Sequence, residues 1–150
     1  MRPAGPCRIS RAFIEPLRAA GTGVLINVAS MAAYLPVPNM AVYAAAKAFV
    51  LSFTQALWQE SRGTGLRVLA LSPGATNTEF FDVIGTNAAD GSSKRQSPGE
   101  VVATALRALD RRTPPPSGVS GRLNRLMASL DRGLSRRRAV TLMGSMTAAH

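Results

Sequence analysis

The stretch INVASMAAYLPVPNMAVYAAAKAF, Ile26 to Phe49, decides the fold of this 150-residue chain. It completes an apolar run, VLINVAS (24–30), rich in branched residues and therefore expected as a strand buried on both faces. Pro36 and Pro38 then break the chain into a loop. From Ala41 to about Arg62 the pattern turns helical, with Val42, Phe49, Phe53 and Leu57 on a repeating face, and RGTG (62–65) ends it. Three polar groups stand out on this small-residue background. Ser30 closes the strand, and Tyr43 and Lys47 sit four residues apart with only alanines between them.

Upstream, residues 8–19 read as a helix that meets a kink or stop at Pro16, followed by a Gly-Thr-Gly turn (21–23). Downstream, LRVLALS (66–72) is a second buried strand, left through PGATNTEF (73–80). Residues 80–96 are polar and carry no periodic pattern. Ser97-Pro98-Gly99-Glu100 is a helix start: serine caps, proline takes the first turn, and glutamate can reach back. EVVATALRALD (100–110) continues as helix, TPPPSGVSG (113–121) breaks it, and a short strand is expected near Val119. The chain from Gly121 is helical again, with Leu123, Leu126, Met127, Leu130 and Leu134 on one face. Apolar strands alternating with helices predict an α/β fold with a parallel sheet of about three strands and flanking helices. Such sheets place their sites at the carboxyl ends of the strands, where Ser30 and Pro73-Gly74 both lie. Residues 1–120 read as this α/β unit and 121–150 as a basic amphipathic helical tail.

Composition narrows the chemistry. Cys7 is the single cysteine, which excludes an internal disulfide and a cysteine-based metal cluster and fits a cytoplasmic protein. His150, the last residue, is the single histidine, so a serine–histidine pair is not expected, nor is a metal site. No run reaches the roughly 18 apolar residues of a membrane span, and the N-terminus lacks the apolar core of a secretory leader. The net charge is +10, and residues 121–150 hold six arginines against Asp131 alone. These arginines read as a solvated helix face, with no nucleic-acid partner expected. The tail's apolar stripe favours docking on the protein over contact with a membrane surface.

On a helix, residues four apart share a face, so the Lys47 ammonium can stand beside the Tyr43 phenol. A neighbouring cation favours a phenolate, which makes a tyrosine a proton donor and acceptor near neutrality. A serine hydroxyl at the adjacent strand end can hold a carbonyl or alcohol oxygen. The three together can move a proton on or off that oxygen, whereas a hydride requires a cofactor.

Ser30, thirteen residues before Tyr43-Ala44-Ala45-Ala46-Lys47, with SPGATNT (72–78) after the next strand, resembles the short-chain dehydrogenase/reductases. The resemblance implies a Rossmann-like fold and an NAD(P)-dependent oxidoreductase that interconverts a carbonyl and an alcohol. It makes Tyr43 the general acid/base. Lys47 assists it and holds the nicotinamide ribose, and Ser30 orients the substrate oxygen. Pro73, Gly74, Thr76 and Thr78 fall where the family's Pro-Gly turn meets the cofactor, with Thr76 replacing the more usual valine or isoleucine. The resemblance also implies a homo-oligomer in the full-length form. A segment holding Phe80, Phe81, Val83 and Ile84 would act as a lid and lean towards an apolar substrate.

The chain departs from the family in its first half. It has no G-x-x-x-G-x-G loop, no Asn-Asn-Ala-Gly stretch and no residue that would choose between NAD and NADP, and the family's catalytic asparagine would fall near Arg2. The expectation is therefore a truncated, C-terminal half of the fold, poorly soluble alone. A non-catalytic remnant, unable to bind the dinucleotide by itself, is the alternative reading.

Overall fold

The computed structural model describes residues 4–78, 95–130, 133 and 135–147. Helix α1 (Ala4–Ala19) leads into strand β1 (Val24–Val28), a 3₁₀ turn (Met31–Ala33), helix α2 (Ala41–Glu60) and strand β2 (Arg67–Ser72). Helix α3 (Pro98–Leu109), strand β3 (Ser117–Val119) and helices α4 (Arg122–Leu130) and α5 (Arg136–Thr147) follow. The described strands form one parallel sheet in the order β1-β2-β3. This is the Rossmann-like arrangement expected from the alternation of apolar strands and helices.

Pairing of Leu25 with Val68 and of Ile26 with Leu69 sets the register between β1 and β2. Successive side chains then point to opposite faces. On one face Leu25 and Val68 pack against Ile14 and Leu17 of α1 and Phe53 and Leu57 of α2. On the other, Leu69 and Leu71 pack against Val101, Ala105, Ala108 and Leu109 of α3. The central strand is therefore fully covered, with Leu69, Ala70 and Ser72 at 0% exposure.

The expectation that β1 is buried on both faces is not met. Val24, Ile26 and Val28 remain 46%, 37% and 53% exposed. They share the α3 face of the sheet, but β1 is the edge strand there, and α3 rests on β2 and β3. An apolar run of branched residues signals a strand; it does not say how many neighbours the strand has.

Two other local expectations change in detail. Pro16 neither stops nor ends α1, which runs on for three residues to Ala19. The loop after β1 opens with one 3₁₀ turn before its prolines. The helix start at Ser97 forms as read, with Ser97 Oγ accepting from Glu100 N at 3.2 Å and the Glu100 carboxylate accepting from Ser97 N at 2.7 Å. Among its described residues the tail forms two helices, with Ala128 and Ala139 buried, while Leu123 and Leu126 face solvent. The side chains of Leu130 and Leu134, and the proposed lid from Phe80 to Ile84, lie outside the described residues. Among the described residues no helix is long and apolar enough to cross a membrane.

Candidate active site

The carboxyl ends of β1 and β2 are tied together by backbone. Ala29 N donates to Leu71 O at 2.7 Å and Met31 N to Pro73 O at 2.9 Å. Ser30, between these two bonds, is thus held beside the Pro73-Gly74 turn. Its backbone is extended and its Oγ caps the 3₁₀ turn, accepting from Ala32 N at 3.2 Å. A hydroxyl has one donor and two acceptor sites, so capping leaves the O–H of Ser30 to donate.

Tyr43 lies in the first turn of α2 and is half-buried. Lys47 is one turn on, and its Nζ stands 5.7 Å from the centre of the Tyr43 ring. The same Nζ donates to Val28 O at 2.9 Å, pinning the ammonium to the end of β1 two residues before Ser30. Lys47 is only 8% exposed, and this desolvation pushes its pKa below the ordinary lysine value. The alanines explain how a lysine comes so close to a strand: Ala44 and Ala46 are buried flat against the body of the protein.

Behind the site, Asn27 of β1 donates through Nδ2 to Thr54 Oγ1 at 3.0 Å and to Ser10 Oγ at 3.3 Å. This polar bridge joins β1, α1 and α2 inside an otherwise apolar layer, and both hydroxyl residues are almost fully buried. Tyr34, from the loop after the 3₁₀ turn, accepts from Ser72 Oγ at 3.5 Å. Neither contact was anticipated. The asparagine inside the apolar run VLINVAS is the signal from which the first could have been read. The carbonyl of Val28 has no sequence signal at all, because every residue carries one.

Pro73 and Gly74 leave β2, and Thr76 Oγ1 donates back to Gly74 O at 3.0 Å. The turn is braced by Gln96, whose N–H donates to Ala75 O at 2.9 Å and whose carbonyl accepts from Asn77 N at 2.8 Å. Thr78 is exposed at the edge of the described segment. The structure therefore gathers Ser30, Tyr43, Lys47, Pro73, Gly74 and Thr76 at the carboxyl end of the sheet and leaves Thr78 at its margin. A separate cleft, lined by Trp58, Arg62, Arg67 and Arg112, opens at the opposite, amino end of the strands and holds none of them.

The residues fit the nicotinamide–ribose end of a dinucleotide. An ammonium has three N–H groups, and only one of those on Lys47 has a hydrogen-bond acceptor among the described residues. The other two suit a pair of ribose hydroxyls. Among the described residues no Gly-rich loop joins a strand to a helix to cradle a pyrophosphate.

Comparison with known proteins shows the family of the chain. A family model described as short chain dehydrogenase matches residues 4–89. An uncharacterized oxidoreductase of Thermotoga maritima is 36% identical over 75 residues, which is 50% of this chain and 30% of that protein. Sulfoacetaldehyde reductase 2 of Chromohalobacter salexigens is 39% identical over 77 residues, 51% of this chain and 31% of that one. A short chain dehydrogenase from Burkholderia cenocepacia, solved in complex with NADP, superposes with a TM-score of 0.72 at 25% identity, over 89% of this chain and 54% of the other. The matched stretch thus spans about a third of the length of these two curated relatives.

Proposed function

Because the chain belongs to the short-chain dehydrogenase family, we propose that it serves an NAD- or NADP-dependent oxidoreductase that interconverts a small carbonyl and its alcohol. The observation that carries this reading is the buried Lys47 ammonium, pinned to Val28 O and set over the Tyr43 ring. A charge is costly to bury for packing alone. Beside a phenol, at the carboxyl end of a parallel sheet, it has a chemical use.

A bound nicotinamide supplies or accepts the hydride. The protein's own residues handle the oxygen. Tyr43 gives its hydroxyl proton to the carbonyl oxygen in reduction and takes it back in oxidation. Lys47 stabilises the phenolate that remains and holds the ribose with its two further N–H groups. Ser30 donates to the same substrate oxygen and fixes its orientation. Pro73, Gly74 and Thr76 form the wall against the nicotinamide, and Thr78 extends it. The complex of the Burkholderia relative with NADP and the reductase name of the Chromohalobacter relative support the cofactor and the substrate class.

The test is titration of the chain with NADPH and with NADH, following nicotinamide fluorescence. Weak binding through the nicotinamide–ribose end is expected, and Lys47→Met is expected to weaken it by at least about 10-fold, since two charge-assisted hydrogen bonds are lost. A chain that leaves the fluorescence of both cofactors unchanged matches the non-catalytic alternative.

A further inference from the structure

We infer that Asn124, in the first helix of the basic tail, is a positioning residue for the Pro73–Thr78 turn, so that the tail forms part of the site. The inference rests on the dehydrogenase reading for its functional side and on packing for its structural side.

Gly74 has no backbone reason to be glycine, because its φ lies outside the left-handed region that Gly21, Gly63, Gly65 and Gly121 occupy. Its reason is space. A Cβ at position 74 would run into the carboxamide of Asn124: it would strike Nδ2 and approach Cγ to 2.9 Å and Oδ1 to 3.1 Å. All three nearest atoms belong to that one side chain.

Asn124 cannot easily give way. Its Nδ2 donates to Ser120 O at 2.7 Å. Ser120 is itself fully buried, and its N–H donates to Ser72 O at 3.1 Å. A closed path therefore runs from the end of β2, across to the end of β3, into α4 and back onto Gly74. Gly121, at φ +91°, makes the bend that aims α4 this way. Gln96 braces the same turn through its backbone, and its side chain meets Asn124 at Gly121, where a Cβ would lie 3.0 Å from Asn124 Nδ2 and 3.1 Å from Gln96 Nε2. A turn held by the Gln96 backbone and by Asn124 together has the fixed geometry that a cofactor wall needs.

The test compares Gly74→Ala, Asn124→Ala and the double variant of the full 150-residue chain, by thermal melting and by NADPH fluorescence titration. Gly74→Ala should lower the melting temperature by about 5 °C through overpacking. The double variant should regain most of that loss, since Asn124→Ala removes all three clashing atoms. Asn124→Ala alone should weaken NADPH by about 5-fold or more in a protein that still melts cooperatively. Melting effects that simply add overturn the clamp. Unchanged NADPH affinity in Asn124→Ala overturns the positioning role and leaves a packing contact. A wild-type chain that ignores NADPH counts against the dehydrogenase reading instead, and the coupling between the two melting effects then decides whether the tail belongs to the turn.

Discussion

In the proposed reaction, two side chains one helical turn apart carry the chemistry. Removing only the Tyr43 hydroxyl takes away the proposed acid/base and nothing that holds the cofactor. In an enzyme form that turns over, Tyr43→Phe is expected to lower kcat about 100-fold or more while the NADPH dissociation constant stays within about 2-fold. Ordinary turnover by that variant would reduce the pair to a helix surface. Lys47 also leaves a trace in the stability of the protein without any ligand. Its pKa is lowered by burial, so above the lowered value the folded state holds fewer protons at this site than the unfolded state does. Stability from this group therefore rises with pH between the lowered value and the ordinary 10.5. Melting curves from pH 8 to 11 should show the wild type gaining on Lys47→Met as pH increases. A difference that stays flat across that window contradicts the burial of a charged lysine.

Single elements owe their boundaries to few atoms. Helix α3 starts at a reciprocal pair, Ser97 Oγ with Glu100 N and the Glu100 carboxylate with Ser97 N. Ser97→Ala removes one half of it and is expected to cost about 1 kcal/mol, read as a lower urea midpoint with an unchanged slope. Glu100→Gln keeps an acceptor for Ser97 N and should cost less. Strand β1 differs from β2 in context rather than composition. Both are runs of branched and small apolar residues, yet β2 has a partner on each edge and helices on both faces, while the α3 face of β1 is bare.

The molecule as a whole shows the consequence of that bare face. Val24, Ile26 and Val28 form an apolar row on an edge strand, the kind of surface that pairs with other chains. Concentration-dependent association is expected by light scattering, and Ile26→Lys should suppress it, because a charge on that row opposes stacking without touching the core. A wild-type chain that stays monodisperse at high concentration would mean the row is covered in some other way. The tail is joined to the rest at the same scale. Asn124 reaches Gly74 from beyond the boundary expected at residue 120, and Leu123 and Leu126, read as a docking stripe, point outward.

The sequence alone determined the elements and the candidate residues. Branched apolar runs gave β1 and β2, helical spacing gave α2, and the Ser97-to-Glu100 box gave the start of α3, because each depends on neighbours a few residues away. The interval from Ser30 to Tyr43, with Lys47 and the Pro73-Gly74 turn, named the candidate site for the same reason: its spacing is written along one chain. Tertiary structure decided what depends on distant neighbours. That Val28 O would receive the Lys47 ammonium, that Asn27 would tie α1 to α2, and that Asn124 would fill the space over Gly74 could not be read locally. A carbonyl, an amide and an empty Cβ position acquire meaning only from the surface packed against them.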